Sequence, residues 1–425
     1  MPVPLHLASA ESGAAFPLDD VRHLAFGDPA AYEAGKPVNL LPVYPDGTFT
    51  RAAFAAAFSR RRGLWDFQQL LPIAGDAAPI SIGEGNTPLI ALPAAHGALW
   101  LKDESRNPTW SHKDRAMTVA VSVARTMDFR TVIGASTGNA GASLAAYAAR
   151  AGMHCVMFTG TDVPKTMQTF MGAYGALLCL LEGGAARRAL AALGIERYGW
   201  YPGTNVTDPP VGSNAYGVEG FTTIAYEIVR DLGEAPTAVV VPVSYGDNLT
   251  GIWRGFVRMR DAGLTDHIPW MIAAEPANSA PYTHALTHDG PHQVPAQPTA
   301  AFSIGGGTAS RQAWQTLRLS GGAARTVAEQ DIRAGQTRLA RETGLYLEAA
   351  SVVGVEVARA IIAESGGTVV VIGTSSGLKD PLTTAQALPT PPTIPVALDA
   401  LADALRQTYG VSLDALDEGM RAASR

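Results

Sequence analysis

Short apolar runs without polar alternation recur along the chain from residue 98 onward. Each run spans four to six residues and is rich in leucine or β-branched residues. Such runs are typical of strands that are covered on both faces of a sheet. We therefore predict strands at Ala98–Leu101, Thr131–Ala135, Cys155–Thr159, Leu177–Leu181, Ala238–Val243, Trp270–Ala274 and Thr368–Gly373.

Helical runs separate these predicted strands. Regular alternation of strand and helix indicates an α/β fold built on a parallel sheet with helices on both faces. In such folds ligands bind at the carboxyl ends of the strands. The predicted helices are Arg115–Met127, Ala140–Arg150, Glu219–Leu232, Leu249–Ala262 and Ala328–Thr343.

One segment precedes this alternation and two interrupt it. Residues 1–80 are rich in Ala, Pro and Phe, with one helical stretch at about Arg51–Arg61, and we predict an extension packed on the body of the protein. Residues 203–214 form a predicted loop. Residues 278–303 form a second predicted loop, because Pro281 and the turn Asp289-Gly-Pro291 interrupt any helix. This second loop carries His284, His288 and His292, which we read as exposed residues and not as a metal site.

Composition excludes several classes of protein. The net charge is −6 and no basic cluster is present, so neither nucleic acid nor a membrane is an expected partner. Cys155 and Cys179 lie in apolar runs and are predicted to be buried free thiols, and no zinc-ligand spacing exists. No signal peptide is evident in the first residues, and a cytoplasmic location is predicted.

Candidate chemistry starts at Lys113, within Asn107-Pro-Thr-Trp-Ser-His-Lys-Asp-Arg115. A lysine between a turn and a helical run can act as an amine nucleophile where burial lowers its pKa. An isolated lysine of this kind is more often a surface residue. Three polar loops at strand ends, beginning at Ser136, Ser244 and Thr374, change that reading toward a bound phosphorylated aldehyde, pyridoxal phosphate.

Each of these loops suits a different part of a ligand. Ser136-Thr-Gly-Asn-Ala-Gly141 opens a helix, where hydroxyls and amides favour an anion such as a carboxylate. Ser244-Tyr-Gly-Asp-Asn248 also opens a helix, and its backbone N–H groups form a nest for a phosphate. The hydroxyl of Thr374 can bond a ring nitrogen.

The motifs together resemble those of the threonine synthase branch of the fold-type II, tryptophan synthase β-like, pyridoxal-phosphate enzymes. They occur in the family's order over roughly residues 80–385. The matching segments are Glu84-Gly-Asn-Thr-Pro-Leu89, Asn107–Arg115, Ser136-Thr-Gly-Asn139, Glu219–Ile228, Asn248–Trp253 and Gly377-Leu-Lys-Asp-Pro381.

The resemblance implies a fold, a cofactor and a role for each matching residue. The fold would be two open, mostly parallel twisted sheets, with a large cofactor domain (residues 81–113 and 226–425), a small mobile domain (114–225) and the N-terminal extension. A homodimer acting on a small amino acid is expected, with no metal. The roles implied are catalytic Schiff-base lysine for Lys113, contact with the cofactor's phenolic oxygen for Asn139, phosphate binding for Ser244, Tyr245, Gly246, Asp247 and Asn248, contact with the ring nitrogen for Thr374, and substrate binding for Ser136, Thr137, Ala140 and Ser111.

Five positions depart from the family pattern and leave the substrate open. The family usually has Phe at position 112, Gly at 110 and Gly-Asn at 244–245, whereas this chain has His112, Trp110 and Ser244-Tyr245. Threonine synthases commonly carry Arg where this chain has Gly217, and that arginine is a plausible anchor for a substrate phosphate. Lys165 or Arg254 could replace it.

Two reactions and one non-enzymatic role follow from this reading. The leading hypothesis is a threonine synthase-type reaction, in which O-phosphohomoserine and water give threonine and phosphate. The alternative is β-elimination or β-replacement on serine, threonine or an O-activated serine. A third hypothesis is a catalytically silent relative that serves as a binding protein.

Overall fold

The computed structural model describes residues 3–288 and 290–416. The chain divides into two compact units, Met1–Lys379 and Asp380–Arg425. The predicted domain limits at residues 80, 113 and 225 do not coincide with this division and stay a prediction. Within the described residues, no helix is both long and apolar enough to cross a membrane.

The strands of the first unit form three sheets. The central sheet has six strands in the order β12-β11-β10-β13-β5-β4, and all neighbours are parallel except β4 and β5. A second, wholly parallel sheet has the order β8-β7-β6-β9, and a small antiparallel sheet has the order β2-β1-β3. The strands are β1 His6–Ser9, β2 Ala15–Phe16, β3 Leu40–Val43, β4 Leu89–Leu92, β5 Ala98–Asp103, β6 Thr131–Ala135, β7 His154–Gly160, β8 Leu177–Leu181, β9 Tyr201–Pro202, β10 Ala238–Pro242, β11 Trp270–Pro276, β12 Ala323–Val327 and β13 Thr368–Gly373.

The helices alternate with the strands of the two large sheets. They are α1 Val21–Phe26, α2 Pro29–Glu33, α3 Arg51–Phe58, α4 Lys113–Thr126, α5 Asn139–Ala151, α6 Lys165–Ala173, α7 Gly184–Tyr198, α8 Ala215–Leu232, α9 Asp247–Asp261, α10 Pro281–Thr287, α11 Arg311–Leu319, α12 Glu329–Thr343, α13 Ala349–Ser365, α14 Pro381–Ala385 and α15 Leu398–Ala404. Helices α14 and α15 belong to the second unit. A 3₁₀ turn, Gly377–Lys379, ends the first unit.

The α/β fold with two mostly parallel sheets is confirmed, and so is each of the seven predicted strands. β10 shows why the apolar runs were informative, because every one of its residues is buried. The predicted helices are also present, with bounds shifted by up to four residues. α13 was not predicted, since apolar side chains surround most of its circumference and no clear helical periodicity remains.

The extension contains more structure than its single predicted helix. Its three short strands and helices α1–α3 belong to the same compact unit as the two large sheets. The Tyr44 hydroxyl donates to Glu219 of α8 at 2.8 Å, and the Tyr216 hydroxyl of α8 donates to the Leu18 carbonyl at 2.7 Å. The extension is therefore packed on the body of the protein.

Two local predictions were wrong. Cys179 is exposed, whereas Cys155 is buried, because Cys179 lies on β8, the edge strand of the second sheet, which is largely uncovered. Pro281 begins a helix and does not break one, since proline is tolerated at the first helical position. The turn residue Asp289 lies outside the described residues.

Candidate active site

A cavity of about 200 Å³ lies where the carboxyl ends of β6, β10 and β13 meet the first turns of α4, α5 and α9. This placement follows from parallel strands, whose carboxyl ends share one edge of a sheet. The cavity brings together nearly all of the predicted site residues. Those that line it are Lys113, Ser136, Thr137, Asn139, Ala140, Ser244, Tyr245, Gly246, Asp247, Asn248 and Thr374.

Ser111 is the predicted site residue that does not line the cavity. Its side chain is fully buried, and its backbone forms a bridge with Ser375. Its hydroxyl has no hydrogen-bond partner among the described residues. The role of Ser111 in substrate binding stays a prediction.

Lys113 is the first residue of α4 and faces the cavity. Burial lowers the pKa of its amine, while the negative charges of Asp247 and Glu348 raise it, and the net shift is downward. Its Nζ lies 5.5 Å from the centre of the Phe221 ring, and in the described part of the chain it forms no ion pair. A half-buried amine with a lowered pKa is suited to nucleophilic and basic chemistry.

His112 holds the lysine turn against β13. Its backbone N–H donates to the Thr374 carbonyl at 2.9 Å, and its ring Nδ1 lies 3.1 Å from the same oxygen. Burial, and then the positive charge of Lys113, lower the pKa of the imidazole well below 6.5, so the ring is neutral at neutral pH. Since a carbonyl only accepts, Nδ1 carries the proton and Nε2 is an acceptor.

The loop at 244–248 presents backbone N–H groups at the start of α9. Gly246 has a φ of 71°, and a Cβ at this position would overlap the Ala313 side chain, so only glycine fits. The Asp247 carboxylate turns away to accept from the Ser213 hydroxyl at 2.7 Å and the Gln312 amide at 2.6 Å. The helix N-terminus is thereby available to a phosphate.

The loop at 136–141 combines a capping role with access to the cavity. The Ser136 hydroxyl accepts from the backbone N–H of Gly141 at 3.0 Å and of Gly138 at 3.3 Å, which ties it to the first turn of α5. The hydroxyl proton remains able to donate. Thr137 and Ala140 complete this wall of the cavity.

Glu348 was not identified from the sequence. It precedes α13, lines the cavity and is 5 % exposed. Its carboxylate lies 3.2 Å from the Asn139 Nδ2 and accepts from the Thr374 hydroxyl, also at 3.2 Å. Glu348 therefore links the two residues that were assigned to the phenolic oxygen and the ring nitrogen of the cofactor.

Lys379 was likewise not assigned a role, although it belongs to the motif Gly377-Leu-Lys-Asp-Pro381. It is 5 % exposed, and its Nζ donates to the Asn139 Oδ1 at 2.7 Å. Burial lowers the pKa of this amine to about 8, against the raising effect of Asp114 and Glu348. The motif itself was the only signal that could have pointed to it.

Two arginines of α7 supply positive charge to the cavity. Arg187 and Arg188 both line it, and neither was predicted. Arg188 pairs with Asp208, whereas Arg187 forms no ion pair with any described residue. Its guanidinium lies beside Gly160 at the end of β7.

The two cations suggested from the sequence do not fill this role. Arg254 is paired with the buried Glu219, and Lys165 is exposed at the start of α6. Neither lines the cavity. Gly217 packs against α4, where a Cβ would lie 3.3 Å from the Ala116 carbonyl oxygen, so a larger residue requires this backbone to move by a few tenths of an ångström.

No metal centre accompanies the cavity in the part of the chain that is described. The rings of His284, His288 and His292 do lie together, with centroids 3.8–6.4 Å apart. Nevertheless, no group of three or more His, Cys, Asp or Glu residues in residues 3–288 and 290–416 is arranged to hold a metal ion.

The residues present fit pyridoxal phosphate. The phosphate matches the N–H groups at 244–248, the aldehyde matches the Lys113 amine, and Asn139 and Thr374 offer polar groups on the same cavity. These groups are of the kinds that a phosphorylated, substituted pyridine requires.

Comparisons with known proteins agree with this fit. Residues 80–376 match the family described as pyridoxal-phosphate dependent enzyme. The chain is 34 % identical to a threonine synthase of Synechocystis sp. over 335 residues, which cover 76 % of this chain and 84 % of the relative. It is 31 % identical to a threonine synthase of Methanosarcina acetivorans over 422 residues, which cover 94 % and 98 %.

Solved structures of the same fold include a maize serine racemase, with a TM-score of 0.60 and 16 % identity over 71 % of this chain and 91 % of that one. A second is an O-ureido-L-serine synthase, with a TM-score of 0.57 and 22 % identity over 72 % and 93 %. At these identities the likeness concerns the fold. The family match and the sequence relatives together with the cavity lead to one conclusion: the chain belongs to the pyridoxal-phosphate-dependent enzymes of fold type II and is a lyase that uses this cofactor.

Proposed function

We propose that the protein catalyses a threonine synthase-type reaction, converting O-phosphohomoserine and water to threonine and phosphate. The observation that carries the proposal is Arg187, a cation on the cavity wall without an ion pair in the described residues. A substrate that brings its own phosphate dianion needs such a group, in addition to the loop at 244–248 that serves the cofactor phosphate. The threonine synthase relatives support the same substrate.

Lys113 is the proposed acid–base residue. When bound, pyridoxal phosphate withdraws electrons from the Cα–H bond of an attached amino acid. The Lys113 amine, with its lowered pKa, takes the Cα proton and can return a proton within the same cavity. The neutral His112 ring adds no charge that would compete with this transfer.

Substrate orientation is assigned to the wall of the cavity that α5 contributes. The first turn of α5, with Ser136, Thr137 and Ala140, is proposed to bind the substrate carboxylate through hydroxyls and backbone N–H groups. Arg187 is proposed to bind the departing phosphate. Asn139 and Thr374 are proposed to bind the cofactor's phenolic oxygen and ring nitrogen.

The test is a product assay with a matched pair of arginine variants. The wild type should release phosphate and threonine from O-phosphohomoserine. Arg187→Met should raise KM for this substrate by about tenfold or more, because a charge-assisted hydrogen bond is lost. Arg197→Met, which removes an exposed arginine from the last turn of the same helix, is the control and should change nothing.

A second candidate is elimination from serine or threonine, favoured by Gly217 of α8, which stands where threonine synthases commonly carry an arginine and offers no cation. Release of ammonia and a 2-oxo acid from serine or threonine, with no phosphate from O-phosphohomoserine, would establish this activity instead. In that case Arg187→Met should leave KM for the unphosphorylated amino acid unchanged.

A further inference from the structure

Lys379 is a buried cation that the proposed reaction does not use. It ends the 3₁₀ turn Gly377–Lys379 after β13 and does not line the cavity. In the described residues it forms no ion pair, and its near partner is the neutral amide of Asn139. Burying an ammonium group beside a neutral amide is costly, and an apolar residue would pack there at lower cost. Stability of the fold therefore does not account for the lysine.

The hydrogen bonds of Asn139 indicate what the lysine does. Its Oδ1 accepts from the Lys379 Nζ at 2.7 Å and from the Ser375 hydroxyl at 3.2 Å, while its Nδ2 lies 3.2–3.3 Å from the two Glu348 oxygens. A hydroxyl either donates or accepts and could serve both orientations of the amide. An ammonium group only donates, so it excludes the flipped orientation, in which two N–H groups would face each other.

We propose that Lys379 is a positioning residue that fixes the amide of Asn139 with its oxygen turned away from the cavity and its N–H groups presented to the cofactor's phenolic oxygen. The inference rests on the cofactor contact proposed for Asn139, and it is independent of which amino acid is the substrate. Without the lysine, only the longer contacts to Glu348, at 3.2–3.3 Å, still oppose rotation of the amide, which would present an acceptor to an oxygen that needs a donor.

The surroundings of Lys379 hold it in place for this role. Its Nζ lies 5.6 Å from the centre of the Phe170 ring, which stacks on Trp110 at 5.3 Å. The Ser375 hydroxyl has a single proton and lies 3.0 Å from the Trp110 carbonyl as well, so this carbonyl competes with Asn139 for it. Asp114 and Glu348 are the acids whose charges act on the lysine.

The experiment measures a property of the bound cofactor without substrate. As pH rises, the cofactor bound to Lys113 loses a proton, and this is followed by its long-wavelength absorbance. An N–H donor at the phenolic oxygen favours the deprotonated form, so losing the donor raises the apparent pKa. We expect Lys379→Met to raise this apparent pKa by about one unit, the size of a weakened hydrogen bond to a charged group.

Three comparisons separate positioning from a structural or purely electrostatic effect. Lys379→Arg keeps a group that only donates and should restore the wild-type value to within about 0.3 unit, whereas Lys379→Gln, whose amide can rotate to donate or accept, should restore it only in part. In the Asn139→Ala background, Lys379→Met should add less than about 0.3 unit, because the lysine acts through the amide. Lys165→Met, which removes an exposed lysine, should match the wild type.

The opposite results overturn the proposal. Additive shifts of Lys379→Met and Asn139→Ala would show that the lysine does not act through Asn139. A Lys379→Met protein that fails to fold, judged by its thermal unfolding, would assign the lysine to structure. An unshifted Asn139→Ala protein would remove the cofactor contact itself. None of these readouts depends on the substrate, so a wrong substrate assignment would be recognised separately by the product assay.

Discussion

Two cations two residues apart in the first turn of α4 lie in opposite surroundings. Arg115 is fully buried and bonds Glu104 at 2.6 Å and Glu227 at 2.8 Å, with Lys102 completing the cluster through its own bond to Glu227 at 2.7 Å. The two carboxylates raise the pKa of the guanidinium against the effect of burial. Lys113 faces the cavity and has no such partner in the described residues, and burial lowers its pKa.

The difference distinguishes structural charge from functional charge. A buried ion whose donors and acceptors are all matched holds chain segments in register, and here it ties β5 and the 3₁₀ turn Glu104–Arg106 to α4 and α8. A cation at a cavity that is not held in an ion pair keeps its chemistry available. Both environments arise within one helical turn because successive residues point to different sides of the helix.

The largest expected effect comes from removing the available cation. Lys113→Ala should lower turnover by about 10⁴-fold or more, because both the covalent attachment and the acid–base group are lost. It should also abolish the cofactor's long-wavelength absorbance. Borohydride treatment of the wild type followed by peptide mapping should place the cofactor on residue 113.

Lys165→Ala, at an exposed lysine, serves as the control for this prediction and should keep both turnover and colour. A borohydride label on Lys102 or Lys379 would contradict the assignment. It would place the reactive amine in the buried ion-pair cluster or on the lysine proposed to position Asn139.

A smaller effect, on stability, is expected from removing the matched cation. Arg115→Met should lower the free energy of unfolding by about 3–5 kcal/mol. Glu104 would remain buried without its cation, and Glu227 would keep only Lys102. Urea unfolding would measure it, with Arg125→Met, an exposed arginine of the same helix, as the control. A loss as small as that of the control would show that the cluster is not what holds α4 in place.

Much of this arrangement could be predicted from the sequence because it depends on local pattern. Strands such as β6, β8 and β13 have the bounds of continuous apolar runs, and parallel packing brings their ends together. Lys113 stood out through the turn before it and the helix after it. The loop at 244–248 was recognised by its position between a strand and a helix.

The residues that were missed depend on contacts between distant segments. Glu348 lies 209 residues from Asn139 in the chain, and Lys379 lies 240 residues from it. Arg187 lies on a weakly amphipathic helix whose sequence gives no sign that its first turn reaches the cavity. Ser111 does not line the cavity for the converse reason, because being adjacent in sequence to Lys113 does not determine the direction of a side chain in a turn.

Removal of Lys379 should have the smallest of the three effects. Lys379 is buried like Arg115, yet its hydrogen bond goes to a neutral amide. Burial lowers its pKa from 10.5 to about 8. Between these two pH values the unfolded chain holds one more proton than the folded chain, so the free energy of unfolding rises with pH across this window. The cost of the buried lysine is fully present below pH 8 and disappears as pH approaches 10.5.

Lys379→Met lacks this titration, so the wild type should gain stability relative to the variant by up to about 3 kcal/mol across the window. Urea unfolding of both proteins from pH 7 to pH 10 measures the difference, and the other titrating groups cancel because both proteins contain them. A difference that stays flat or falls as pH rises would mean that Asp114 and Glu348 compensate the ammonium as fully as Glu104 and Glu227 compensate Arg115. Lys379 would then belong with the structural charges, and the fold would keep it for stability and not for the orientation of Asn139.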